Sequence, residues 1–194
     1  NDIKKIFALS RQIGLDAEKK MFKATNNINA YKGLIFDLGL IVSALGYKLS
    51  HLNQCIDIFE IIKQMTKGIT NELKCGNETF GKYAYQTYNI GGARLEAENG
   101  FPHVQKLIKD NLDNTASLIY LISNIDDTVL LKRCGTYQKY LDIKIKFKEL
   151  VISDSSINDL NKYCINNNLS FGGAADLLIV TIFLKKIIQQ INIY

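Results

Sequence analysis

Residues 91–102, Gly91-Gly92-Ala93-Arg94-Leu95-Glu96-Ala97-Glu98-Asn99-Gly100-Phe101-Pro102, set one guanidinium and two carboxylates between glycines. If residues 92–99 are helical, Arg94 and Glu98 share a face, and Glu96 points about 200° away from Arg94. The group is either a surface ion pair or part of a site. The paired glycines leave N–H groups that suit an anion, and Gly100-Phe101-Pro102 stops the helix abruptly. A second group is Asp126-Asp127-Thr128, which either caps the next helix or offers magnesium the oxygen ligands it selects beside substrate phosphates. Arg133 lies further along that segment. Lys32, at the start of a helix, opposes the macrodipole and is either aimed at a bound anion or a snorkelling surface lysine. Asp176 falls in the first turn of a helix that is otherwise apolar through Leu184, so its surroundings need polar partners.

Helices must position these groups. The spacing predicts a helix over residues 3–13 ended by Gly14, and a second from Asp16 with Ala17, Met21 and Phe22 inward. Thr25-Asn26-Asn27-Ile28-Asn29 breaks the pattern through side chains that compete for backbone hydrogen bonds. A helix starting near Tyr31-Lys32-Gly33 is apolar nearly all round over residues 34–45 except for Asp37, which places it centrally. Residues 52–65 are amphipathic, and residues 67–79, with Gly68 and Gly76, read as a loop or short helices. Residues 80–88 carry Tyr83, Tyr85 and Tyr88, which suit a wall or core. Val104, Ile108, Leu112, Ala116, Ile119 and Ile122 form one long helical stripe. Residues 140–151 fit both strand and helix periods, and helix is expected because no partner strand is in sight. Ser153 to Ser156 offer caps for a helix through Cys164.

Composition sets the bounds. With 194 residues, 47% hydrophobic content, one proline and no tryptophan, the chain suits an all-α fold: a single compact multi-helix bundle with central apolar helices. The net charge of +5 favours anionic ligands but lacks the dense basic stripe of a nucleic-acid binder. Cys55, Cys75, Cys134 and Cys164 lie far apart without a C-x-x-C pair, so neither a zinc site nor a disulfide framework is expected, and a reducing cytoplasm fits. The longest apolar runs, residues 38–45 and 177–184, are too short to span a bilayer. The chain begins with Asn1, so its natural start is expected upstream.

Four blocks in order resemble the triphosphoribosyl-dephospho-CoA synthase family, which makes the prosthetic-group precursor of citrate lyase and malonate decarboxylase. They are residues 14–39, with G-L-D-A-E-K-K-M-F-K-A-T and N-I-N-A-Y-K-G-L-I-F-D-L-G; residues 91–102, G-G-A-R-L-E-A-E-N-G-F-P; residues 126–135, D-D-T-V-L-L-K-R-C-G; and residues 168–184, N-L-S-F-G-G-A-A-D-L-L-I-V-T-I-F-L. The resemblance implies a cytoplasmic, all-helical transferase that joins C1′ of ATP's ribose to the 2′-hydroxyl of 3′-dephospho-CoA and releases adenine. Breaking an N-glycosidic bond develops oxocarbenium charge, which a carboxylate stabilises while a second acid or base serves the adenine or the hydroxyl. Three phosphates require cations. On this basis Lys32, Arg94 and Arg133 are expected on phosphates, and Glu96 or Glu98 in catalysis or metal binding. Asp126 and Asp127 are expected on Mg2+, with Asp176 a further catalytic carboxylate. Glu18, Asn29, Gly33, Gly92, Gly172 and Gly173 fall in matching motif positions as substrate-pocket residues.

The chain also departs from the family pattern. Ala30-Tyr31-Lys32-Gly33 stands where T-H-K-G is usual, Lys132 replaces a histidine, and Phe171 and Ala174 replace proline and serine. Only His51 and His103 remain, neither in a matched catalytic position. An upstream T-P-K-P-G-L-V-D-like segment and an S-H-x-D-M-like motif have no counterpart. Residues 1–194 are therefore expected to form one helical domain lacking the family's N-terminal segment, as a truncated or cleaved form or one completed by a homo-oligomer partner or a second chain. Two other classes stay open: a non-catalytic remnant that binds nucleotide or a carrier protein, and another all-α metal-dependent nucleotide enzyme. A histidine-aspartate phosphohydrolase is disfavoured, because no adjacent His-Asp pair occurs.

Overall fold

The computed structural model describes residues 3–51, 56–75 and 78–191, and among these every regular element is helical. The elements are α1 (Ile3–Ala24), α2 (Lys32–Ser50), α3 (Ile58–Thr66), a short 3-10 helix (Ile69–Leu73), α4 (Phe80–Tyr88), α5 (Gly92–Glu98), α6 (Pro102–Asp110), α7 (Asn114–Asn124), α8 (Thr128–Cys134), α9 (Tyr137–Lys148), α10 (Asp154–Asn166) and α11 (Gly172–Ile191). The expectations for Leu52, Cys55 and Gly76 lie outside the described residues.

α2 is the hub, packing against α1, α3, α5 and α11. Leu40, Ile41, Ala44 and Leu45 are buried in a core continuous with Ile61, Ile62, Val104, Leu121, Leu130, Val180 and Leu184. By length and composition α2 as a whole is apolar enough to cross a membrane, which corrects the expectation drawn from its shorter run. In this fold its apolar side faces other helices instead.

Three expected boundaries are revised. The amphipathic helix expected over residues 52–65 begins only at Ile58, because Asp57 is extended and stands at the N-cap of α3. Gly14 does not end α1, which runs unbroken to Ala24. A helical glycine costs only about 1 kcal/mol relative to alanine, and packing along α2 outweighs it. Conversely, the single stripe from Val104 to Ile122 is two helices. Asn111 takes a left-handed φ of 50° after α6, and the Asp113 carboxylate accepts from the N–H groups of Thr115 and Ala116 to start α7. The ambiguous segment near residue 140 is helical, as α9. Ser153 and Ser156 form a capping box at α10.

Candidate active site

The turn between α5 and α6 brings together two side chains that the sequence left apart. Gly100 and Phe101 both adopt left-handed φ, 73° and 56°, and the Phe101 N–H closes α5 on the Glu96 carbonyl at 2.8 Å. Pro102 opens α6, where a missing N–H costs nothing. The chain therefore doubles back and sets His103 beside Glu96. Glu96 Oε1 accepts the His103 backbone N–H at 3.0 Å, and Oε2 lies 2.7 Å from His103 Nδ1. Glu96 thus caps α6 in place of Phe101, which has no capping side chain.

Glu96 and His103 line a pocket of about 190 Å³ shared with Asp37 of α2, Asp126 of the α7–α8 loop and Asp176 of α11. Four carboxylates face it, and none of its lining residues is lysine or arginine. Asp37 is 1% exposed and its Oδ1 has no hydrogen-bond partner. Burial raises its carboxyl well above the usual range, and the like charges of Asp176 and Glu96 push the same way. Asp176 is raised to about 6 by burial and by the charge of Asp127. A Cβ on Gly33 would collide with the Asp176 carboxylate, so this glycine lets the start of α2 approach α11.

The other expected residues divide by place. Asp126 faces the pocket and accepts the Gly91 N–H at 3.3 Å, so the anion that occupies this glycine turn comes from the protein itself. Gly92, with φ of 56°, also lines the pocket. Asp127 caps α8 through Val129 and Leu130, and its second oxygen accepts the Ala174 N–H at 3.2 Å at the start of α11. Burial raises its carboxyl, while these backbone donors pull it down. The two adjacent aspartates therefore have separate positions: Asp126 is presented to a ligand, and Asp127 joins two helix starts. Gly173 lets α11 pass against the Asp127 carboxylate, and Gly172 lets it pass Val129.

Arg94 and Glu98 do not pair, contrary to their spacing. Glu98 accepts the N–H groups of Gly68 and Thr70 at 2.5 and 3.2 Å, anchoring the 3-10 helix, whereas Arg94 Nε lies 3.6 Å from Glu72. Glu72 is also held by Arg11 of α1, whose hydrogen bond depresses its carboxyl. Neither Arg94 nor Glu98 lines the pocket. Lys32 pairs with Glu18 at 2.9 Å, and Asn29 accepts the Lys32 N–H at 3.1 Å, so these three fasten the start of α2 beside Gly33. Arg133 is exposed in the last turn of α8, at the far end from Asp127.

Sequence reasoning missed Asp37 and His103. A lone carboxylate in an apolar helix was the signal for the first; for the second it was a histidine directly after the Gly-Phe-Pro turn. Lys144 also has a role in the site's support: its Nζ donates to the Ile125 carbonyl at 2.8 Å, behind Asp126. Burial lowers its ammonium, and Asp126 and Asp127 raise it.

A family model described as ATP:dephospho-CoA triphosphoribosyl transferase matches residues 3–193. The chain is 36% identical to Protein CitXG of Leuconostoc mesenteroides subsp. cremoris, over 98% of this chain and 46% of that protein. It is 34% identical to the 2-(5''-triphosphoribosyl)-3'-dephosphocoenzyme-A synthase of Haemophilus ducreyi, over 94% of this chain and 68% of the relative. Identity is 32% to the probable synthase of that name from Lactiplantibacillus plantarum, covering 94% and 73%. The chain thus spans less than half of the first of these relatives and about two thirds of the second. No solved structure matches it. With nearly every residue inside the family match, the chain belongs to the ATP:dephospho-CoA triphosphoribosyl transferase family.

Proposed function

We propose that this chain transfers the 5-triphosphoribosyl group of ATP to the 2′-hydroxyl of 3′-dephospho-CoA and releases adenine, in the cytoplasm. The product is a precursor for the prosthetic group of citrate lyase or malonate decarboxylase. The observation that carries this reading is the charge of the pocket: four carboxylates and no lysine or arginine. Such a wall repels a triphosphate but stabilises positive charge. Cleaving C1′–N9 places oxocarbenium charge on the ribose, so the sugar belongs against Asp126 and Asp176, with the phosphates directed to the rim. The volume agrees, since about 190 Å³ is below the ~300–1,000 Å³ typical of pockets that enclose whole drug-sized ligands.

Asp176, with its carboxyl near 6, holds a proton in part of the population at neutral pH and donates it to the departing adenine. Asp37, buried behind it and resistant to ionisation, keeps charge from accumulating at the pocket floor. Lys32 pairs with Glu18 and precedes Gly33, which packs on Asp176, and this proximity supports a phosphate role for Lys32 outside the pocket lining. The chemistry admits magnesium held largely by substrate phosphates, with Asp126 offering one hard, pocket-facing carboxylate oxygen. Asp126 is the residue that would hold the ion; Asp127, bonded to the starts of α8 and α11, is not. When bound, magnesium neutralises triphosphate charge.

Adenine release from Mg-ATP, followed with and without 3′-dephospho-CoA, tests the proposal. Release that requires 3′-dephospho-CoA is expected, and phosphate release in its place would indicate a hydrolase.

A further inference from the structure

The transfer leaves one proton unassigned. As the 2′-hydroxyl oxygen bonds to C1′ and the C1′–N9 electron pair leaves with adenine, the hydroxyl must give up its proton to a base. Asp176 serves the opposite task, giving a proton to adenine. The remaining pocket group with a ring nitrogen suited to accept one is His103.

We propose that His103 is the general base for the attacking hydroxyl and that Glu96 is its positioning residue; this rests on the transferase reading above. Glu96 accepts from the His103 backbone at 3.0 Å and meets Nδ1 at 2.7 Å, so one carboxylate fixes both the start of α6 and the ring. A carboxylate only accepts hydrogen bonds, so Nδ1 carries the proton and Nε2 the lone pair. Capping α6 needs only the backbone contact. The contact to the ring, on a side chain 26% exposed and lining the pocket, serves something else.

Tyr120 of α7 bounds the ring, its centroid 6.0 Å away and tilted by 50°, which limits rotation out of the pocket. The charged and titratable groups around the dyad are Asp37 from α2, Asp126 from the α7–α8 loop and Asp176 from α11, which line the same pocket, and Tyr120 from α7, with Lys106 of α6 lying over the Tyr120 ring at 5.8 Å. The sequence of events balances. The O–H proton passes to His103 Nε2, the C1′–O bond forms as C1′–N9 breaks, the proton on Asp176 passes to adenine, and solvent restores both groups.

The test uses the whole chain with Mg-ATP and 3′-dephospho-CoA. His103→Ala should lower kcat by about 100-fold or more with KM for ATP within about threefold, the scale of lost general-base catalysis. Added imidazole should restore kcat by about tenfold or more. Glu96→Gln should lower kcat by about 10- to 100-fold, as expected for a group that orients another. A His103→Ala protein that melts like the wild type yet keeps kcat within about threefold, or loses activity that imidazole does not restore, overturns the proposal. Should that variant not fold, His103→Gln replaces it, and a kcat within about threefold of wild type again overturns the proposal. If the wild type itself releases no adenine, the transferase reading falls and takes this proposal with it, whereas the other failures remove His103 alone.

Discussion

Asp176 is a residue whose chemistry works against its own fold. Its carboxyl is raised from 3.8 to about 6, so between about pH 4 and pH 6 the folded chain binds more protons than the unfolded one. The stability this contributes is complete below about pH 4 and is lost as pH rises through 6. Asp176→Asn should therefore unfold at higher urea than the wild type at pH 8, differ little at pH 4, and release adenine at least ~100-fold more slowly. Urea titrations at the two pH values with a parallel adenine assay check this. The helical period correctly sets Glu96 apart from Arg94 and Glu98, and the structure keeps that division: Arg94 and Glu98 turn to the 3-10 helix and Glu72, Glu96 to the pocket. What the period omits is the partner. Arg94 meets Glu72 rather than Glu98 because the N–H groups of Gly68 and Thr70 offer Glu98 two donors at once.

Helix ends, rather than helix middles, carry the site. Asp126 and Asp127 stand before α8, Gly33 lies in the first turn of α2, Asp176 comes just after the first turn of α11 rather than in it as expected, and Glu96 caps α6. Their sequence marks were legible as caps and glycines, but which side chain caps which helix was not. Asp127 serves α8 and α11 together, a contact across the fold that no local pattern contains. Glu98 illustrates the structural use of such a carboxylate. Glu98→Ala should cost about 1–3 kcal/mol by leaving the Gly68 and Thr70 donors without their partner. The kcat of its folded fraction should stay within about threefold of wild type, since the 3-10 helix lies off the pocket. Chemical unfolding and adenine assays on the same preparation separate the two effects. Helix boundaries were legible where side chains compete for the backbone, as at Asn111 and Ser153, and not at Gly14, where packing along α2 decides.

At the scale of the molecule, a chain with net charge +5 encloses a pocket lined by four carboxylates. Composition pointed to anionic ligands, and only folding reveals that the sign reverses inside. The outer charge favours a polyphosphate while the pocket itself resists it, so the proposed ATP binding calls for a cation, with Asp126 the carboxylate that would hold it. Chelating magnesium should abolish adenine release. Asp126→Asn should weaken magnesium-dependent ATP binding by at least ~10-fold. Asp127→Asn, once corrected for any loss of folded protein, should leave that binding unchanged; titration calorimetry with and without magnesium distinguishes the two. The pocket also has a history in time. Glu96 and His103 meet through a turn made within a few residues, but Asp37 and Asp176 sit near opposite ends of the chain and meet only when α11 docks on α2. A ribosome-bound chain still missing α11 therefore holds the dyad without the acid. On the proposed activity, the growing polypeptide has no means to strip adenine from cellular ATP before α11 has been made and docked.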